Sequence, residues 1–316
     1  MNVINNLTAY TRYIPTRIIK GSSYLFAQLY YEAGDYGIMA IDPTTLAVLS
    51  TFSYNDDRIS DICAYSDSRI AIRSDNRVAV LSFDVETGFT EIFRRGIKST
   101  INTGLACNND FVFVSCGSKI ISVKISTGEI AQELNIPNYY LARAISCASD
   151  YLFVRETNIS MTNYKLAAYR INSDYLTNPN KNLQYIHEID SPAFDTDLGR
   201  LTVDDSLNII EPGVYANRYI TFNGTNLTAV GEITPFIPTL EFVKHGDYYF
   251  NSPNTTMKLY TLSTVTLELT EEYTSLSESQ MPTYVCPGFI PPEIYTTRDI
   301  SGDGSGRNVS RKNITP

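Results

Sequence analysis

The chain has 316 residues, 43% of them hydrophobic, with 34 acidic against 25 basic side chains and a formal net charge of −9. Lys and Arg never form a long run, so nucleic-acid backbones and anionic membrane surfaces are poor partners for the molecule as a whole. There are 23 Tyr and 14 Phe but no Trp; that is enough apolar material for one large core, and no apolar stretch reaches the length of a membrane span.

The first residues, Met1 to Leu7, show neither a basic n-region nor an apolar h-region, so the sequence predicts no secretion signal and synthesis in the cytoplasm. Leu7-Thr-Ala-Tyr-Thr-Arg-Tyr13 has the character of an outer strand. Short apolar strands then recur at Tyr24-Leu-Phe-Ala27, Arg69-Ile-Ala-Ile72, Phe111-Val-Phe-Val114, Tyr151-Leu-Phe-Val154 and Tyr248-Tyr-Phe250, with a weaker Leu207-Asn-Ile-Ile210 between the last two. A period of about 40 to 45 residues built of four short strands marks a β-propeller, one repeat per blade.

The third repeat is the clearest. Its strands read Gly104–Asn109, Phe111–Val114, Lys119–Ile125 and Glu129–Leu134, with a tight turn at Ser126-Thr-Gly128 between the last two. The same place in other repeats holds Asp42-Pro-Thr-Thr45, Asp84-Val-Glu-Thr-Gly88, Asn172-Ser-Asp174 and Asn223-Gly-Thr225, where Asp and Asn side chains cap the turn backbone. Loop-like insertions lengthen the fourth repeat around Tyr175 and Ser191. The expected fold is all-β: a single β-propeller over residues 1–300, most simply six blades of four antiparallel strands, with seven the rival count. The N-terminal strand completes the last blade, which removes exposed sheet edges. Residues 301–316 are Gly-rich and polar and read as a flexible C-terminal tail.

The repeats resemble the broad superfamily of YVTN-like, PQQ-like and WD-like propellers across residues 7–290, carried by repeat length and by the turns at Asp84 and Ser126. This resemblance implies fold and says little of activity. The WD signature is missing, since the chain has no Trp and no Gly-His pair, and so are the docking tryptophan of the PQQ enzymes and the sialidase Asp-box.

Catalytic chemistry is thinly represented. His187 and His245 fall in different repeats, too few for a three-His metal site or an obvious nucleophile–base pair, so no metal and no cofactor is expected. The carboxylates Asp35, Asp56, Asp57, Asp61 and Glu211 could face one end of the blades, but an acidic chain places some carboxylates anywhere. Asp299-Ile-Ser-Gly-Asp-Gly304 lacks the alternating oxygen ligands of a calcium loop. The five cysteines have no metal-type spacing, and Cys63, Cys107 and Cys147 recur at nearly one repeat position, as free core thiols would.

Tyrosine stands out. The loops joining second to third strands, and fourth strands to the next blade, share one end of a propeller, and here they carry Tyr30, Tyr31, Tyr36, Tyr54, Tyr139, Tyr140, Tyr164 and Tyr215. Tyr offers a large ring with a polar tip at low entropic cost, suited to binding protein or sugar. The composition therefore points to a non-catalytic scaffold whose partners are other proteins of a larger assembly, such as a phage or virus particle. A carbohydrate-active propeller, hydrolase, lyase or lectin, is the alternative, with glycan as partner.

Overall fold

The computed structural model describes residues 2–10, 14–30, 36–54, 58–66, 68–97, 102–137, 140–172, 182–193, 200–237, 242–251, 258–274, 282–287, 293–298 and 308–315. These form 28 strands and no α-helix. After β1 (Asn2–Tyr10), six sheets of four consecutive strands follow. They are β2–β5 (Ile14–Lys20, Leu25–Tyr30, Tyr36–Ile41, Val48–Tyr54), β6–β9 (Ile59–Ser66, Arg69–Ser74, Arg77–Asp84, Gly88–Gly96) and β10–β13 (Asn102–Cys107, Phe111–Cys116, Lys119–Lys124, Ile130–Asn135). Next come β14–β17 (Tyr140–Ala148, Tyr151–Asn158, Tyr164–Ile171, Leu183–Asp190), β18–β21 (Thr202–Val203, Asn208–Glu211, Asn217–Phe222, Leu227–Ile233) and β22–β25 (Phe242–His245, Tyr248–Asn251, Lys258–Leu262, Leu269–Thr274). The last strands, β26–β28 (Pro282–Pro287, Glu293–Arg298, Asn308–Thr315), take β1 as their fourth member in the order β1-β28-β27-β26.

The fold is a β-propeller. Six sheets come from consecutive strands, the number the repeats announce, and the two ends of the chain supply one more. The N-terminal strand sits where the sequence puts it, as the outer strand of the last sheet. The flexible-tail expectation gives way for residues 308–315: β28 pairs with β27 on one side and β1 on the other. A strand with neighbours on both edges satisfies its main chain without apolar side chains, which is how so polar a segment is held. Residues 301–307, with most of the calcium-like sequence, lie outside the described residues.

The contacts divide the chain into two compact units: Met1–Ile70 with Leu81–Glu91 and Phe242–Pro316, and Ala71–Val80 with Ile92–Glu241. In the first, Ile18, Leu25, Ala27, Leu29, Met39 and Ile41 pack with Cys286 and Tyr295, joining the β2–β5 sheet to the terminal one. The Tyr295 hydroxyl donates to the Pro43 carbonyl at 2.9 Å. In the second, Phe111, Phe113 and Ile120 of one sheet meet Leu152, Val154 and Tyr169 of the next, and Phe153 and Leu166 on the opposite face meet Ile209, Ile220 and Phe222. Strands packed on both faces read as unbroken apolar runs. β11 is buried throughout, whereas the outer strand β21 is mostly exposed. The cysteines are free, with Cys116 and Cys286 buried.

Turn chemistry follows the sequence. Asp42 Oδ1 accepts the N–H groups of Thr44 and Thr45 at 2.8 and 2.7 Å. Asp84 accepts those of Glu86 and Thr87 at 2.9 and 3.0 Å, and these donors hold its carboxyl below its ordinary pKa. Asn223 accepts those of Thr225 and Asn226 at 3.0 and 2.8 Å. The turn after Asn172 runs into residues outside the described set. Gly128 has φ +70°, and a Cβ there would stand 2.8 Å from the Phe93 ring. Gly128→Ala is therefore expected to lower stability by about 1–3 kcal/mol in chemical denaturation. Gly96→Ala, with open space around the new methyl, should stay within about 0.5 kcal/mol.

Candidate functional site

Five second strands carry a largely apolar stretch and then turn polar at the fifth position, counting from Tyr24, Arg69, Phe111, Tyr151 and Leu207: Gln28, Arg73, Ser115, Arg155 and Glu211. All but Gln28 are fully buried. A buried polar group needs a partner, and here the partner is often in the neighbouring sheet. Gln28 Nε2 donates to Ile59 O at 2.8 Å, and Arg73 Nη1 to Gly104 O at 2.9 Å. Where the first strand runs alongside this position its register slips, between Pro15 and Arg17, Asn102 and Leu105, and Ala142 and Ala144. A bulge turns a carbonyl or side chain out of the ladder, which gives the buried group something to bind.

The strongest instance joins the β14–β17 and β18–β21 sheets. Glu211 lies between Arg155, whose Nε is 3.2 Å from Oε1, and Arg218, whose Nη2 is 3.2 Å from Oε2. The Ser191 hydroxyl donates to Oε1 of the same carboxylate. Burial pulls the Arg155 pKa down to about 10, with Glu211 opposing the shift, so the guanidinium stays charged at neutral pH. Asp61, a second carboxylate named from sequence, is likewise buried and paired with Arg17. Asp35, Asp56 and Asp57 lie outside the described residues. Both described carboxylates therefore hold sheets together and do not line an open cleft.

A further charged group was not visible in the sequence. Glu156, 3% exposed, points to the face opposite Arg155 and accepts the Tyr169 hydroxyl at 2.9 Å. Lys165, its cross-strand neighbour, pairs with Glu188 and lies 5.1 Å from the Tyr140 ring centre. The Tyr185 ring meets Tyr169 edge-on at 5.9 Å. Burial pushes the Glu156 carboxyl up to about 7, against the Tyr169 hydrogen bond, with Glu188 pushing further and Lys165 resisting. Adjacent sequence positions point to opposite faces of a strand, so Arg155-Glu156 reads as a local ion pair while the fold separates the two.

The tyrosines divide. Backbone register places Tyr30 opposite Tyr36, and Tyr36 opposite Tyr54, in a row across β3, β4 and β5. Tyr54 is wholly buried and so offers no surface to a partner. Tyr36, Tyr140 and Tyr164 are half-buried. The Tyr164 hydroxyl donates to Met161 O at 2.6 Å, closing its own loop. Tyr215 is 82% exposed between β19 and β20. Tyr31 and Tyr139 lie outside the described residues, as does the side chain of Tyr30. Composition missed Tyr215's companions at the same end of these two sheets: Ile159 and Met161 between β15 and β16, Val214 beside Tyr215, and Phe236 after β21, all exposed. Their signal was apolar residues in the loops between strands. His187 Nδ1 accepts the Leu227 N–H at 3.2 Å, and His245 is buried.

Among solved structures the chain is similar to BamB from Moraxella catarrhalis, with a TM-score of 0.57 over 95% of this chain and 85% of that one, at 12% identity. The likeness is one of fold. No protein-family model matches the chain, and no curated protein matches it.

Two outcomes follow from the buried charges. Glu211→Ala leaves Arg155 buried without its carboxylate and should cost about 3–5 kcal/mol in urea denaturation, whereas Arg155→Met with Glu211→Leu should recover most of that loss. The Glu156 carboxyl holds its proton more tightly folded than unfolded. It should therefore make stability fall as pH rises from its ordinary value of 4.5 to about 7 and level off beyond. Comparing denaturation midpoints of wild type and Glu156→Gln across that range checks this: the variant should lose this component of the slope.

Proposed function

We propose that the protein is a non-catalytic β-propeller scaffold that binds other proteins within a larger assembly, such as a phage or virus particle. The observation that carries this reading is the end of the β14–β17 and β18–β21 sheets where the loop residues Ile159, Met161, Val214, Tyr215 and Phe236 are exposed. Exposed apolar side chains on rigid loops are what a docking face requires, and Tyr and Met are favoured there. The described carboxylates put forward for catalysis are tied to buried guanidiniums, which also favours binding over turnover. The Asn-, Ile- and Tyr-rich, Trp-free composition is the ground for placing the assembly in a virion.

A carbohydrate-active propeller is the second reading. Glu156 and Glu188 flank Lys165 beside Tyr140 and Tyr185, a pairing of carboxyls with rings that glycan chemistry uses. The burial of Glu156 weighs against it, since an acid must reach its substrate.

The deciding measurement is the native mass of the species recovered by gentle purification from the source. A large particle of fixed stoichiometry is expected for the wild type. Met161→Ser with Tyr215→Ser should change stability by no more than about 0.5 kcal/mol, as exposed substitutions do, and should be recovered free. A wild-type monomer in free solution would count against the scaffold and lead to polysaccharide screening.

A further inference from the structure

The turn between β20 and β21 holds the chain's one Asn-Gly pair, Asn223-Gly224. Asn223 is exposed, yet its side-chain carbonyl is fully engaged. Oδ1 accepts the Thr225 N–H at 3.0 Å, the Asn226 N–H at 2.8 Å and the Thr225 hydroxyl at 2.9 Å. The Asn226 side-chain amide donates to that hydroxyl at 3.2 Å and polarises it. Three donors on one oxygen stabilise negative charge there. The turn after β8 shows the effect. Asp84 Oδ1 accepts the Glu86 and Thr87 N–H groups and the Thr87 hydroxyl, and these donors hold its carboxyl below the ordinary pKa.

Gly224 supplies the other reacting group. Its N–H makes no hydrogen bond among the described residues, and with no side chain its nitrogen is open to approach. A φ of +90°, with the Tyr151 hydroxyl 3.3 Å from where a Cβ would stand, keeps the position for glycine. Other capping asparagines lack this half. Asn108 accepts the Asp110 and Phe111 N–H groups, and Asn158 those of Thr162 and Asn163. They are followed by Asn109 and Ile159, whose side chains crowd the next nitrogen.

We propose that Asn223 is a self-modifying site, converted within the folded turn through a cyclic imide to aspartyl and isoaspartyl forms. The Gly224 nitrogen attacks Asn223 Cγ and forms a C–N bond, while negative charge gathers on Oδ1 among its three donors. The Cγ–Nδ2 bond then breaks, and the amide leaves as ammonia with the proton that the Gly224 nitrogen gave up. Nucleophile and carbonyl belong to neighbouring residues, so the step is unimolecular. Water opens the imide. Addition at Cγ leaves aspartate; addition at the main-chain carbonyl leaves isoaspartate, with the chain rerouted through the side-chain carbons. Either product adds one negative charge to an exposed turn. Aspartate reproduces the caps of Asp42 and Asp84, whereas isoaspartate lengthens the main chain beside Tyr151.

The test incubates the full chain in mildly alkaline buffer, where the attacking nitrogen gives up its proton more readily. Mass spectrometry of proteolytic peptides follows Asn223, and a blocked peptide of residues 221–226 reports the unassisted reaction. Asn223 in the folded protein should convert at least as fast as in that peptide, while Asn108 and Asn158 stay intact. Thr225→Val should slow the protein about fivefold, the scale of one lost hydrogen bond, and leave the peptide's rate unchanged. Thr225→Ser keeps the hydroxyl and should retain the wild-type rate. The proposal is overturned if the folded protein reacts more slowly than the peptide, or if Asn108 or Asn158 converts equally fast. It is equally overturned if Thr225→Val reacts as wild type does, or if Thr225→Ser is as slow as Thr225→Val.

Discussion

A polar side chain that recurs inside an apolar strand has to be answered from outside that strand, and this demand organises the packing between sheets. The answers differ in kind. Gln28 and Arg73 take main-chain carbonyls of the following first strand, whereas Arg155 takes the carboxylate of Glu211. Apolar surfaces slide over one another at little cost, but a guanidinium 3.2 Å from a carboxylate does not. The Leu, Ile, Val and Phe side chains make the sheets adhere; Gln28, Arg73 and Arg155 at the fifth position align the sheets they join. Bulges in the first strands belong to the same device, since a regular ladder would leave no group free to meet the buried one.

Much of this was legible in the sequence. The apolar openings, the turns at Asp42, Asp84, Ser126 and Asn223 and the role of the N-terminal strand follow from local rules, because strand period and turn capping act within a few residues. The fifth-position residues were equally in view, yet their meaning was not, because Arg73 finds its acceptor 31 residues onward at Gly104 and Glu211 lies 56 positions beyond Arg155. A single sequence does not say which distant group will answer a buried charge. Polar residues 308–315 misled for a related reason: strand formation there rests on main-chain neighbours far away in the chain.

The site was read more coarsely than the fold. Counting Tyr in loops could not separate Tyr54, wholly buried, from Tyr215, almost fully exposed. Whether a ring at a sheet end covers core or faces water depends on the loops around it. Glu156 illustrates the same point with charge: it is an ordinary polar residue on a strand until burial makes it hold its proton.

The pairing of β1 with β28 has a temporal consequence. On the ribosome β1 waits for its neighbour, because the strand it joins is made some three hundred residues later. Every other sheet is built from strands adjacent in sequence and can form as the chain lengthens. Closing contacts across so long a separation is slow, and until then β1 presents an unpaired edge. The nascent chain therefore carries β1 as an open strand until β28 has been made.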